Sequence, residues 1–202
     1  MSVTGDLNSL YQFFLSCPLD SVVPNRRVSA SPHPMISNHT GYLYGLSHPA
    51  STYPNRFCGI QWRDFDTKEK SIYLPVMGLT PLFYNLGDSF SDFTFGKTVI
   101  LVEGPKDAEA VKTVHPYVLG ILGSLPSRSQ FHFLKMLSKK FVVLFDDDKT
   151  GREQSAAMCK MLKYSGCTAI PTFIDGGDPG DYFVKEKCAI VNKHLNNLEF
   201  VL

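Results

Sequence analysis

Six carboxylates fall at places in this chain where they could act together, Glu103 with Asp107, Asp146 with Asp148, and Asp178 with Asp181. Each pair follows on, or close behind, a short apolar run. Unpaired carboxylates brought together repel one another, and such clusters are tolerated mainly where a divalent cation neutralises them. With oxygen donors only, and no His or Cys beside them, the fitting ions are Mg²⁺ or Mn²⁺ rather than Zn²⁺. One or two such ions stabilise charge on a phosphoryl group and on the oxygens that attack and leave it. Phosphoryl transfer is the chemistry to which these residues point.

The apolar runs define the elements that must position the acids. Val99-Ile100-Leu101-Val102 leads straight into Glu103-Gly104, and Phe141-Val142-Val143-Leu144-Phe145 straight into Asp146-Asp147-Asp148. From Lys97 onward such runs alternate with helical segments, the texture of β-α units on a parallel sheet. They predict strands at Thr98–Val102, Val118–Leu122, Phe141–Phe145 and Thr168–Ile174. Helices are expected at Pro105–Thr113, Ser127–Leu137, Gly151–Tyr164 and Pro179–Glu186. Pro105 and Pro179 suit a first helical turn, and Ser127 suits an N-cap. Right-handed crossovers then place four strands in one sheet with helices on both faces. Ligands of open α/β sheets bind beyond the carboxyl ends of the strands, so the acids converge on one crevice. In extended chain Asp146 and Asp148 point one way and Asp147 the other. Alone, the DDD triplet reads as a solvated turn before a helix, but that reading leaves the other two acid pairs without a cause.

The preceding 95 residues have a different texture. Pro24, Pro32, Pro34, Pro49 and Pro54 punctuate a stretch rich in Ser, Asn, His and Tyr, which favours loops and short strands. Only Leu7 to Leu15 reads as helix, and Arg56–Arg63 and Ser71–Val76 read as an antiparallel hairpin around the polar turn Asp64 to Lys70. The organisation expected is a smaller subdomain over residues 1–95 and a larger α/β domain over residues 96–202.

Composition narrows the class. With 202 residues, 44% of them hydrophobic, the chain is long enough to build a core without staples. Its five cysteines form no CxxC pair, so neither a zinc ribbon nor a redox dithiol is supported, and they read as reduced thiols. The first residues lack the basic and apolar regions of a secretory leader, and no run approaches a membrane span, which points to a soluble, intracellular protein. Net charge is only +1, yet residues 97–202 carry 14 Lys and Arg against 12 Asp and Glu. Once six of those acids are assigned to metal, the surface left over is basic and suits a polyanion. Gly96-Lys97-Thr98 imitates the end of a P-loop, but Ser91 stands where the upstream glycine belongs and Lys97 leads into a strand, so no NTPase motor is indicated.

Four segments in order resemble one family. Val99–Asp107 (VILVEGPKD) resembles the EGxxD element that opens Toprim domains, and Phe145–Gly151 (FDDDKTG) their DxDxxG element. Gly120–Leu125 (GILGSL) resembles the segment before a helix in DnaG-like primases, and Asp178-Pro179-Gly180-Asp181 the acidic element after the last core strand. Residues 55–87 loosely resemble the basic subdomain that precedes the primase Toprim domain, through Gly59 to Arg63, Tyr73, Pro81-Leu82-Phe83 and Tyr84 to Leu86. Two departures stand out: Gly180 occupies the second acidic place, with Asp181 one further on, as in phage helicase-primases, and Ile72 precedes Tyr73 where the family has Lys.

The resemblance implies an α/β fold, a Toprim domain with a four-stranded, mostly parallel sheet behind a strand- and loop-rich template-binding subdomain. It implies a DNA primase core that makes RNA primers on single-stranded DNA from ribonucleoside triphosphates with Mg²⁺ or Mn²⁺. Glu103 then serves acid/base chemistry or metal binding, Asp146 and Asp148 are the principal metal ligands, and Asp107, Asp178 and Asp181 support them. Arg63 would hold nucleotide or template phosphate bidentately. Arg56, Lys106, Lys149 and Arg152 are further nucleotide or DNA contacts, and Arg26 and Arg27 weaker ones, set against a reading as solvated loop arginines. A replicative helicase and a separate zinc-binding or template-recognition protein are the partners implied, and the cytoplasm of a bacterium or virus-infected cell the setting. The alternatives are a Toprim nuclease using the same acids to activate water, and a non-catalytic primase-like nucleic-acid-binding module.

Overall fold

In a computed structural model the chain forms two compact units, over residues 1–81 and 82–202. The structure describes residues 7–21, 25–29, 40–48, 50–52, 54–65, 70–74, 83–86, 97–123, 125–174 and 178–180.

In the first unit, helix α1 (Leu7–Ser16) packs on a four-stranded antiparallel sheet, β1 (Arg26–Ser29), β2 (Gly41–Ser47), β3 (Phe57–Asp64) and β4 (Lys70–Tyr73), in the order β1-β2-β3-β4. The expected hairpin is β3–β4, with β3 displaced by one residue and β4 ending at Tyr73, while Pro75 and Val76 of the expected strand lie outside the described residues. Leu7 and Leu10 of the helix share a buried cluster with Leu43, Phe57, Ile60 and Trp62 of the sheet. Strands β1 and β2 lie in the stretch whose composition favours loops and short strands, and β2 carries two glycines that its packing requires. A side chain at Gly45 would press on the ring of Phe14, 3.0 Å from its ideal Cβ, and one at Gly41 would collide with Trp62 and the Arg63 carbonyl. One is a close approach of the sheet to α1 and the other a close approach between neighbouring strands, and neither is a turn. Arg27 donates to the carbonyls of Leu15 (3.0 Å) and Cys17 (2.5 Å), which closes the end of α1. Arg26 is buried against Asp20 at 2.8 Å, with its guanidinium 3.9 Å from the centroid of the Tyr42 ring. Neither is a solvated loop arginine.

The second unit follows the β-α pattern as far as β8: β5 (Thr98–Val102), α2 (Pro105–Lys112), β6 (Val118–Gly120), α3 (Arg128–Leu137), β7 (Lys140–Leu144), α4 (Lys149–Tyr164) and β8 (Thr168–Thr172), while the helix expected at Pro179–Glu186 lies, past Gly180, outside the described residues. All pairs are parallel, in the order β6-β5-β7-β8. Pleat alternation sends Val99, Leu101, Leu119, Phe141, Val143 and Ala169 into one core with Leu134 of α3 and Met158 and Leu162 of α4. Ile100, Val102, Val142 and Leu144 are buried as well, on the opposite face. Ser127 caps α3 reciprocally with Gln130, its hydroxyl accepting from the Gln130 amide at 3.3 Å while Gln130 Oε1 accepts from the Ser127 amide at 2.7 Å. β6 is shorter than its apolar run because Leu122 turns to φ 60. Among the described residues no helix is long and apolar enough to cross a membrane.

The segment Phe83–Leu86 belongs to this second unit although it precedes the change of texture. Tyr84 exchanges backbone hydrogen bonds with Gly120 at the edge of β6 (2.8 and 3.3 Å). Asn85 donates to the Val118 carbonyl at 3.0 Å and accepts from Lys112 at 2.7 Å. The Tyr84 hydroxyl donates to the buried Glu109 carboxylate at 2.7 Å. Removing that donor strips a hydrogen bond from a buried acid, which costs about 1–3 kcal/mol. Tyr84→Phe is therefore expected to lower the melting temperature by roughly 2–12 °C, given about 2–4 °C per kcal/mol for a chain of this size. An unchanged melt would remove Glu109 from the set of groups that fasten this segment.

Candidate metal centre

Strand order sets the place of the site. After β5 the chain crosses to β6 on one side, then returns to place β7 on the other, so the β5–β7 boundary is where the winding reverses. At such a switch point the loops leaving the two strands diverge and open a crevice beyond their carboxyl ends. Glu103 leaves β5 and Asp146 follows β7 at that boundary. Glu103 Oε1 accepts from the Asp146 amide at 3.4 Å, which ties the two loops together.

Three carboxylates gather here. Asp107, Asp146 and Asp178 each offer an oxygen, all within 4.8 Å of one another. Asp107 lies one turn into α2, whose start is set by Pro105 and by Gly104, the amide of which donates to Asp107 Oδ2 at 3.2 Å. Its other oxygen accepts from the Gly180 amide at 3.1 Å, so this one side chain draws the segment after β8 onto the site. Gly180 is needed for that approach: a Cβ there would lie 2.7 Å from Lys106 Cγ and 2.9 Å from Asp107 Oδ1. Burial, followed by the charges of Asp178 and Asp146, pushes the Asp107 carboxyl up to about 8, against the pull of the Gly180 amide and Lys106. Lys106 stands 4.0 Å from Asp178 and offsets part of that charge.

The residues present fit a divalent metal. A buried carboxylate whose charge its neighbours oppose is what a hard cation relieves, and every donor in the trio is a carboxylate oxygen, as Mg²⁺ and Mn²⁺ prefer.

The remaining acids are placed differently. β7 ends at Leu144 and α4 starts at Lys149. Asp148 instead caps α4, its Oδ1 accepting from the Gly151 amide at 2.7 Å. Asp147 pairs with Arg152, whose guanidinium also lies 4.7 Å from the centroid of the Phe173 ring. Lys149 is exposed at the first position of α4. Asp181 lies outside the described residues. In the first unit Arg63 is half-buried on β3, in register with Tyr42 and Lys70, and Arg56 is exposed at φ 53.

Sequence reasoning missed why Gly151 stands in α4. A Cβ at that position would overlap the carbonyl of Asp146, so the helix reaches the loop only through glycine. The spacing in FDDDKTG carried that signal. Gly151→Ala is expected to displace Asp146, costing about 1–3 kcal/mol of stability for overpacking and weakening Mn²⁺ binding, read by melting and by calorimetric titration. Wild-type Mn²⁺ affinity in that variant would show that the loop adapts without moving Asp146.

The fold is that of the catalytic cores of DnaG-type primases. The E. coli primase catalytic core superposes with a TM-score of 0.62 at 18% identity, over 81% of this chain and 57% of that one. A DnaG primase catalytic domain bound to single-stranded DNA gives 0.65 at 15% identity, over 97% of this chain and 74% of the other. The primase fragment of the bacteriophage T7 primase-helicase protein gives 0.56 at 13%, over 80% and 64%. The chain spans between 40% and 74% of the DnaG-type chains compared. No protein-family model matches the sequence, and no curated protein matches it.

Proposed function

We propose that this chain is the catalytic core of a primase-type nucleotidyltransferase, which joins ribonucleotides on a single-stranded DNA template with Mg²⁺ or Mn²⁺. The observation that carries the reading is the trio of Asp107, Asp146 and Asp178 at the switch point of a sheet that shares its fold with DnaG-type cores. When bound, a divalent cation supplies charge neutralisation at the phosphoryl oxygens. Asp107, Asp146 and Asp178 would hold it, with Asp181 and Asp148 as further candidates. The 3′ hydroxyl of one nucleotide attacks the α-phosphorus of the next, a P–O bond forms, the bond to the β-phosphate's bridging oxygen breaks, and pyrophosphate leaves. Glu103 would accept the hydroxyl proton, a role supported by its partial exposure and its hydrogen bond from the Asp146 loop. Arg63 and Arg56 on the first unit, and Lys106, Lys149 and Arg152 on the second, are the proposed phosphate contacts.

Single-stranded DNA as template is supported by the related catalytic domain bound to such DNA, and a helicase partner by the phage protein that joins the two activities. A zinc-binding partner and a cytoplasmic setting belong to the same proposal. The test is incorporation of labelled ribonucleotides on varied single-stranded templates with Mg²⁺ or Mn²⁺. Template-dependent oligoribonucleotides are expected. Metal-dependent cleavage of the DNA without synthesis would replace the reading with a nuclease.

A further inference from the structure

The amino edge of the second sheet, opposite the acidic crevice, gathers cations in turn. Every described acid from Glu103 to Asp178 lies just after a strand's carboxyl end or within the first two turns of the following helix. Lys97 precedes β5, Lys139 precedes β7, and Lys163 lies in the last turn of α4, all three exposed. Hydrogen bonds bring these segments together. Ser138 Oγ donates to the Lys97 carbonyl at 2.6 Å, the Thr168 amide donates to the Lys139 carbonyl at 2.7 Å, and the Gly166 amide donates to the Lys163 carbonyl at 3.0 Å, closing the turn between α4 and β8. A basic residue in the last turn of a helix answers the helix dipole, which accounts for Lys163. It does not account for Lys97 and Lys139, which stand at strand starts.

Beside this edge Tyr164, 82% exposed, ends α4. Next to it a groove of about 400 Å³ runs along α4, floored by Ala156, Cys159 and Pro171 and rimmed by Lys160 and Lys163. Lys160 Nζ lies 5.8 Å from the centroid of the Tyr164 ring. Cations spaced along an edge next to an exposed aromatic ring match a flexible polyanion that carries flat apolar groups. Phosphates meet the lysines and a base stacks on the ring. Pro171 has no amide hydrogen to offer, which disfavours an added peptide strand along β8.

We infer that the amino edge formed by Lys97, Lys139, Lys163 and Tyr164 is a second, sequence-independent site for single-stranded nucleic acid, on the side of the sheet away from the acidic crevice. The choice of nucleic acid among polyanions rests on the proposed function. The crevice handles the reacting ends, and the second site retains the strand by its backbone.

The test is fluorescence anisotropy of a labelled single-stranded oligonucleotide with the full chain in EDTA, across a range of salt. For the variant Lys97→Gln/Lys139→Gln/Lys163→Gln, affinity is expected to fall about tenfold, and the slope of log K against log salt to shrink by about 2, from roughly 0.7 per phosphate contact on single strands. Tyr164→Ala is expected to weaken binding several-fold with the slope unchanged. Lys139→Glu alone should act in the same direction as the triple variant, so a folding defect in the latter leaves the question decidable, with a melt of each variant as control. An unchanged affinity and slope overturns the inference, as does a defect seen only with anionic vesicles or an acidic polypeptide. Ribonucleotide incorporation read in parallel keeps the two ideas separate. Synthesis by wild type with no binding defect in the variants overturns the second site alone. A binding defect with no synthesis by wild type overturns the proposed activity and leaves the site standing.

Discussion

Asp146→Asn is expected to abolish measurable Mn²⁺ binding and to reduce primer synthesis by about 10²-fold or more, while leaving the apoprotein as stable as wild type. The activity loss follows from position. Asp146 belongs to the trio whose oxygens lie within 4.8 Å of one another, and metal-borne stabilisation of phosphoryl charge is worth several kcal/mol, at about 1.4 kcal/mol per decade of rate. The retained stability follows from charge. Asp146 opposes the ionisation of Asp107, so replacing it relieves repulsion in the empty cluster. Two companions separate the roles of neighbouring acids. Glu103→Gln keeps an acceptor for the Asp146 amide but cannot take a proton, so metal should still bind while the rate falls by about 10²- to 10⁴-fold. Asp148→Ala should act mainly through the lost cap, costing about 1 kcal/mol. Equal loss of metal binding in Asp148→Ala would set that residue beside Asp146 as a principal ligand. Retention of full Mn²⁺ affinity by Asp146→Asn would end the assignment of the centre.

Much of this arrangement is legible in the order of residues. The strand over Thr98–Val102 and the cap at Ser127 stand where apolar runs and capping chemistry place them, and the acids meet because parallel strands put their carboxyl ends on one edge. What escapes is set by tertiary contact. The region of Gly41 and Gly45 reads only as loops and short strands, because nothing local reveals the ring of Phe14 or the indole of Trp62 that these glycines admit. Arg26 and Arg27 read as solvated because their partners, Asp20 and the last carbonyls of α1, belong to a segment the strand meets only in the fold. The aspartate triplet shows the limit most clearly. β7 ends at Leu144, and Asp148 serves as the N-cap of α4, a contact that strand alternation alone does not reveal. Asp107, expected only to support the other ligands, lies with Asp146 and Asp178, and its i+4 spacing from Glu103 across Gly104-Pro105 gave no hint of the Gly180 contact.

The stability of the metal-free protein is expected to fall between about pH 4 and pH 8 because of Asp107, and added Mn²⁺ is expected to restore it most at the upper end. Its folded-state carboxyl is raised from 3.8 to about 8, first by burial and then by Asp178 and Asp146, so the fold favours the protonated form. The sign of the linkage follows: the contribution is complete below about 3.8 and is lost as pH climbs through about 8. A cation competes with that proton, so Mn²⁺ should bind more tightly as pH rises and should release a proton on binding near neutrality. Mass action then stabilises the fold by an amount that grows with free metal over its dissociation constant. Asp107→Asn isolates the effect, since the amide cannot ionise. It keeps one acceptor for the Gly104 or Gly180 amide and loses the other, at a cost of about 1 kcal/mol that does not vary with pH. In EDTA the wild type should be the more stable protein near pH 5 and lose that advantage by pH 9. In saturating Mn²⁺ the order at pH 9 should reverse in favour of wild type. Melting curves of the two proteins that run parallel from pH 5 to pH 9 without metal would show that Asp107 does not carry the charge strain of the cluster, and the fit of a divalent cation to these residues would lose its main physical support.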